Sequence, residues 1–274
     1  MSPRINARLS ISNHLTVFAG YGLYGQAPSQ LWLAADRNNR NLPYFKDVQT
    51  TAGFTYEPTI PVRARVDAYY KNYLDYPVSA IDSIRTLVGW GTDYQFYDPR
   101  WISADGRGYS RGVESYIEID PHKNTSVVLS GSLSRCRFRG VSAREIPSDF
   151  DVLYTYSLAA YWSPLACLDL TTSFVGEGGK PYTPIDPLRS RWYNDTVYQR
   201  DKQNSERFRP YQRIDVGLSI HWRIGGATGT NYITVINLLD RKNPYFHYWH
   251  QSRHEIRTYY QWERLVVTGF ALSF

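Results

Sequence analysis

Methionine and lysine are scarce in this chain: it has one Met in 274 residues, and only six of its 31 basic residues are Lys. Cysteine is limited to Cys136 and Cys167. Two cysteines cannot build a disulfide framework, and neither belongs to a Cys-x-x-Cys pair of the kind that holds zinc. No apolar run approaches the roughly 20 residues that a helix needs to cross a bilayer, which excludes transmembrane helices. The first ten residues, Met1 to Ser10, hold no apolar core of an export signal. Positive charges exceed negative ones by only six and are interspersed with them, so no basic stripe points to a nucleic-acid partner. Apolar residues are spread along the whole length, which excludes disorder as the main state.

The chain is rich in aromatic residues. It has 24 Tyr, 8 Trp and 11 Phe, together 16% of the residues, alongside 19 Gly, a balance that favours strands over helices. The periodicity agrees. Ile5, Ala7, Leu9 and Ile11 alternate with Arg4, Asn6, Arg8 and Ser10. Val62, Ala64, Val66, Ala68 and Tyr70 alternate with Arg63, Arg65, Asp67, Tyr69 and Lys71. Ile214, Val216, Leu218, Ile220 and Trp222 alternate with Arg213, Asp215, Gly217, Ser219 and His221. Weaker alternations run over 15–26, 47–56, 101–119, 125–137, 151–162, 166–175, 230–238 and 257–274. The reading is eleven strands, all-β, with no helical period anywhere.

The connections add an independent signal. Tight turns are expected at 13–14, 57–61, 120–124, 163–165 and 223–229. Between them fall long loops at 27–45, 75–100, 139–150, 177–208 and 239–256, of 19, 26, 12, 32 and 18 residues. In an antiparallel up-and-down sheet this strict alternation puts every tight turn at one end and every long loop at the other, as in outer-membrane β-barrels with short periplasmic turns and long extracellular loops. The charged residues of the alternating faces lie in mid-strand, where they need water or partners. The apolar face is free to meet a second sheet or lipid. Strands of about 9 to 11 residues suffice to cross the hydrocarbon. Aromatics near strand ends (Tyr21, Tyr56, Tyr70, Trp162, Trp222, Tyr259, Tyr260 and Trp262) suit interfacial girdles.

Several stretches carry a family resemblance. The last one, Arg264-Leu-Val-Val-Thr-Gly-Phe-Ala-Leu-Ser-Phe274, puts Phe270, Leu272 and Phe274 on one face of an alternating strand and resembles the assembly signal of outer-membrane barrels. Pro3 to Ser10 followed by Leu15 to Pro28, Ser110-Arg-Gly-Val-Glu114, Gly179-Lys-Pro-Tyr-Thr-Pro184, Tyr211-Gln-Arg-Ile-Asp215 and Asn237-Leu-Leu-Asp-Arg-Lys-Asn243 follow in the order and spacing of the C-terminal β-barrel of TonB-dependent outer-membrane receptors. The resemblance covers essentially the whole chain. It implies a Gram-negative outer-membrane location and contact with membrane lipid and the barrel-assembly machinery. It further implies a small nutrient ligand, such as an iron-siderophore complex or a glycan, and energy from the TonB complex through a plug domain. Family barrels have 22 strands, so residues 1–274 are expected to supply the second half, with the plug and the earlier strands outside them. Eleven strands alone would meet in parallel on closure, whereas single-chain bacterial barrels use even numbers. The competing reading is a plug-less pore or structural barrel.

Candidate chemistry is sparse, and no motif calls for a cofactor, a metal or a catalytic residue. Gly108-Tyr-Ser110-Arg-Gly112 spells the hydrolase elbow, but that elbow needs a strand, a sharp turn and a helix, and the residues that follow alternate as strand. Gly176 to Lys180 lacks the first glycine and the Ser or Thr of a phosphate loop. Two loops hold groups that could grip a ligand. Arg189, Arg191, Trp192, Tyr193 and Arg200 offer charge-assisted hydrogen bonds and stacking surfaces to an anionic or aromatic nutrient. His247, Trp249 and His250, with His254 nearby, offer imidazoles and an aromatic face to a metal chelate. Against both stands the plain reading of solvated loops that hold no ligand. Cys136 and Cys167 fall near opposite ends of their strands, too far apart for a bridge.

Overall fold

The computed structural model describes residues 2–80, 100–141 and 144–274. Twelve strands form one sheet, and eleven of them lie on a continuous path. These eleven are β1 (Arg4–Ser10), β2 (Leu15–Gln26), β3 (Phe45–Tyr56), β4 (Val62–Ser79), β5 (Ile102–His122), β6 (Thr125–Arg139), β8 (Tyr154–Leu165), β9 (Leu168–Glu177), β12 (Tyr211–Ile224), β13 (Ala227–Ile236) and β16 (Leu265–Ser273). Each pairs antiparallel with the next. The short strand β7 (Glu145–Pro147) pairs with the loop end of β6, and β10 (Pro181–Tyr182) pairs with β11 (Glu206–Arg207) within the longest loop. β1 and β16 stand at the two ends of the path, each paired on one side only among the described residues, so the sheet is open.

The parity read from the sequence holds. Tight turns at 11–14, 57–61, 123–124, 166–167 and 225–226 share one end of the sheet, and the long connections share the other. Gly225 has φ +59, the left-handed conformation a two-residue hairpin turn requires.

Three expectations need correction. Residues 257–274 are not one strand: β15 (Glu255–Tyr260) pairs with β14 (Pro244–His250) in a hairpin inside the last long loop, and the sheet resumes only at Leu265. The break follows β13. Its ladder with β16 stops at Ile236 opposite Leu265, because Asn237 turns the chain away with φ 54. Second, short helices do occur, α1 (Gln30–Ala35) and α2 (Pro187–Tyr193), too short to show a period in sequence. Third, β4 runs on past Lys71 to Ser79, taking the first residues assigned to the loop at 75–100. Residues 81–99 of that loop, and 142–143 of the loop at 139–150, lie outside the described residues.

The registers fix which side chains share a face. Arg65, Asp67, Tyr69 and Lys71 of β4 stand opposite Thr55, Gly53, Thr51 and Gln49 on one side, and opposite Tyr116, Glu114, Gly112 and Ser110 on the other. The same polar face continues through Ser130, Ser132, Ser157, Ser173, Asp215, Ser219 and Thr230. The other face is apolar. It carries Val66, Val113, Ile117, Leu129, Leu133, Leu158, Phe174, Val216, Leu218 and Ile233. Among the described residues nothing covers this face: Leu133 is 67% exposed and Phe270 75%. The buried apolar side chains, Phe45, Val78, Ile102, Phe138, Ile146, Ile185 and Trp249, all lie at the loop end or in the loops. A sandwich would bury alternate residues along the middle of its strands. This sheet does not.

Candidate ligand cleft on the loop rim

The longest loop is built around α2. Asp186 caps its start, its carboxylate accepting the backbone N–H groups of Leu188 (3.1 Å) and Arg189 (3.0 Å), and Pro187 occupies the first turn. Asn194 ends the helix in the left-handed conformation, φ 51. The Asp-Pro and Asn pair was the available sequence signal for this helix. Ser190, fully buried, accepts the N–H of Val197 on its hydroxyl at 3.0 Å and ties the helix to the returning chain.

Two contacts fix the loop's base. Gly178 and Gly179 are passed so closely by backbone that a Cβ on Gly179 would lie 1.6 Å from the Phe208 carbonyl oxygen, and one on Gly178 would lie 1.9 Å from that of Val152. No other residue fits there. Next to them Arg207 donates from Nη2 to Asp151 Oδ2 at 2.6 Å, and from Nη1 to the carbonyls of Asp151 and, at 3.1 Å, Gly179. The Asp151 carboxylate is fully buried and also accepts the Cys136 N–H at 2.8 Å. No local sequence pattern marks this pair, nor Asn194 and Thr196 below, because its partners are 56 residues apart.

The hairpin β14–β15 leans against this loop. Trp249, 6% exposed, donates its backbone N–H to Thr196 Oγ1 at 2.9 Å and its indole N–H to Asn194 Oδ1 at 3.4 Å. The His247 ring lies 4.8 Å from the rings of both Tyr182 and Phe208, with Nδ1 2.9 Å from Thr258 Oγ1. Burial holds this imidazole below its ordinary pKa. It also pushes the Tyr182 phenol up, with the Glu206 carboxylate adding to the shift. His250 sits at the hairpin turn, where its Nδ1 accepts the Arg253 N–H at 3.3 Å.

The structure thus divides the residues singled out in sequence. Arg189, Trp192, Tyr193 and Arg200 come together, with Leu188, Val197 and Tyr198, around a cleft of about 620 Å³ beside α2. Trp192 is 85% exposed and Tyr193 68%, so their rings are open to a ligand. Arg189 pairs with Asp186 only loosely, at 3.7 Å and mostly exposed. Arg191 is exposed but does not line the cleft. His247 and Trp249 lie in the contact that supports the cleft, while His250 stands apart at the turn. No group of three His, Cys, Asp or Glu side chains among the described residues is placed to hold a metal ion.

Ser110 lies inside β5, paired with Lys71 and Cys136 on the two neighbouring strands, and no turn follows it. It cannot be an elbow nucleophile. Cys136 and Cys167 are both unbonded.

No protein-family model and no curated protein sequence matches the chain. Solved structures do. The ferric citrate transporter FecA aligns over 99% of this chain and 38% of its own, at 11% identity and a TM-score of 0.67. The ferripyoverdine receptor of the Pseudomonas aeruginosa outer membrane covers 99% and 32%, at 13% identity and 0.66. The ferric-catecholate import receptor Fiu of E. coli K12 covers 98% and 34%, at 10% identity and 0.63. The chain spans about a third of the length of these structures. Its open sheet, with tight turns at one end and long loops at the other, has the fold of a barrel segment of TonB-dependent siderophore receptors.

Proposed function

We propose that residues 1–274 form the C-terminal part of the barrel of a TonB-dependent outer-membrane receptor that takes up a scarce nutrient, with its ligand held on the loop rim. The observation that carries this reading is the uncovered apolar face of a sheet whose opposite face is charged and hydroxyl-rich. In a bilayer the first meets acyl chains and the second a watery lumen. The free edges of β1 and β16 would then lie in hydrocarbon, where each unpaired backbone group costs several kcal/mol, so further strands complete the barrel. Energy comes from the TonB complex acting through a plug that occupies the completed lumen. Phe270, Leu272 and Phe274 present the assembly signal, all three exposed on β16 or just beyond it. The cleft around α2 suits an anionic ligand with flat rings: Arg189 and Arg200 supply forked donors, and Trp192 and Tyr193 supply faces.

The test uses the receptor in cells depleted of iron, offered ferric citrate, a ferric catecholate and a ferric hydroxamate. At least one should accumulate, only while the TonB system is intact. Accumulation without TonB, together with passive leakage of small solutes in liposomes, would favour a plug-less pore instead.

A further inference from the structure

The outward face of β5 and β6 changes character abruptly above the apolar band. Below lie Val113 and Leu133, directly opposite each other. Above them Arg111 stands directly opposite Arg135, Tyr109 opposite Arg137, and Arg107 opposite Arg139. The ladder has no register shift over this stretch, so all six side chains belong to the same face as Val113 and Leu133. Arg137 lies 4.0 Å from the Asp151 carboxylate, whose short contact is with Arg207. Glu145, opposite Arg139 on β7, makes no ion pair with it among the described residues. Arg107, Arg111, Arg135 and Arg139 are exposed, and none pairs with a carboxylate among the described residues. Like charges directly opposite each other in a ladder repel. Two such pairs stacked within about 13 Å of strand call for an anion.

The level of the patch says where that anion comes from. Tyr21, Thr50, Tyr70, Arg111 and Arg135 form one continuous cross-strand row on the outward face. Tyr70 stacks on Tyr109 at 6.4 Å, and the Arg111 guanidinium lies 5.5 Å from the Tyr109 ring. Tyrosines in such a row mark the level of lipid headgroups. We propose that Arg107, Arg111, Arg135 and Arg139 form a binding site for a multiply phosphorylated lipid headgroup in the loop-side leaflet, its acyl chains lying on Val113, Leu133 and their neighbours. Each guanidinium offers a fork of donors to a phosphate, which a phosphorylated lipid can satisfy at two levels at once. The inference rests on the outward face meeting lipid. It is independent of which nutrient the receptor carries.

The experiment is native mass spectrometry of the detergent-extracted receptor titrated with diphosphorylated lipid A, with the same lipid after removal of its phosphates, and with inorganic phosphate. The phosphorylated lipid should bind about tenfold more tightly than the dephosphorylated one. Arg111→Ala with Arg135→Ala should remove that preference, and Arg65→Ala, on the lumen face, should leave it intact. Equal binding of the two lipids by the unaltered receptor overturns the site without any variant. Displacement of the lipid by inorganic phosphate at equal affinity overturns the lipid as its occupant. A receptor that leaves the membrane fraction without detergent overturns the membrane reading itself, which separates that failure from failure of the site.

Discussion

The Asp215 carboxylate accepts the backbone N–H of Asn237 at 2.9 Å, joining two stretches that the sequence shows only as separate motifs. Around this bond Asn237 Nδ2 donates to the carbonyls of Arg241 (3.1 Å) and Trp262 (3.2 Å), and its Oδ1 accepts the Arg241 N–H at 3.1 Å. Asn243 adds a reciprocal pair with the backbone of Gln212, at 3.1 and 2.8 Å. The junction fixes where the sheet stops and the last loop begins. Asn237 is 1% exposed and in the left-handed region, which Asn tolerates better than most residues. Replacing it with Ala removes the three bonds made by its own side chain, two to the backbone of Arg241 and one to the carbonyl of Trp262, and puts a residue that disfavours the left-handed region at φ 54. We expect a loss of about 2–4 kcal/mol, read as a lower denaturant midpoint of the membrane-inserted protein. An unchanged midpoint would contradict this role.

Asp151 and Arg207 form a second buried lock. Asp151 is fully buried and Arg207 27% exposed, so removing Asp151 takes away the carboxylate that Arg207 and the Cys136 N–H share, a loss of about 1.5–3 kcal/mol. Asp151→Ala should therefore release the loop at 178–210 to proteolysis while the strands below remain protected. A digestion pattern identical to that of the unaltered protein would exclude the lock.

Gly179→Ala tests the base of the cleft without touching its lining. A Cβ there meets the Phe208 carbonyl, so the returning chain must move. Ligand affinity should fall about tenfold or more, with the amount of assembled barrel unchanged. Unaltered affinity would show that the cleft does not depend on this crossing.

The His247 imidazole gives the last loop a pH dependence. Its pKa in the folded protein lies below the unfolded value, so between the two the unfolded loop binds more protons and acid favours it. The packing of His247 on Tyr182 and Phe208 is fully present above the unfolded value of about 6.5 and weakens as pH falls through the lower, folded one. Amide protection over 245–250, after correction for the intrinsic exchange rate, should fall on acidification from neutral pH, and His247→Gln should flatten the profile. Exchange that slows on acidification beyond its intrinsic chemistry would reverse the sign.

Much of this was legible in the sequence because strands announce themselves locally. The period of two in Val62 to Lys71 and in Arg213 to Arg223 depends only on neighbouring residues, and the alternation of short and long connections fixed the two ends of the sheet. What the sequence hid is long-range or small. α2 is too short for a helical period, and the end of the hairpin's second strand, β15, runs on into the alternation of β16, so no local change marks the break. Of the candidate ligand groups, the residue types around α2 were visible, but not that Trp249 and His247 turn inward to brace them. Nor did the alternation single out Arg111 and Arg135, since it takes the register between β5 and β6 to set them face to face.

If the sheet belongs to a membrane barrel, one of its faces meets acyl chains and the other meets water. The direct measurement is a nitroxide scan along β12 in the membrane-inserted protein, comparing collisions with oxygen, which concentrates in lipid, and with a water-soluble nickel chelate. Labels at Ile214, Val216, Leu218 and Ile220 should favour oxygen. Those at Asp215, Gly217, Ser219 and His221 should favour the chelate, giving a clean period of two. Labels at Val216 and Leu218 that neither reagent reaches would mean that this face is packed against protein, and the barrel reading would fall.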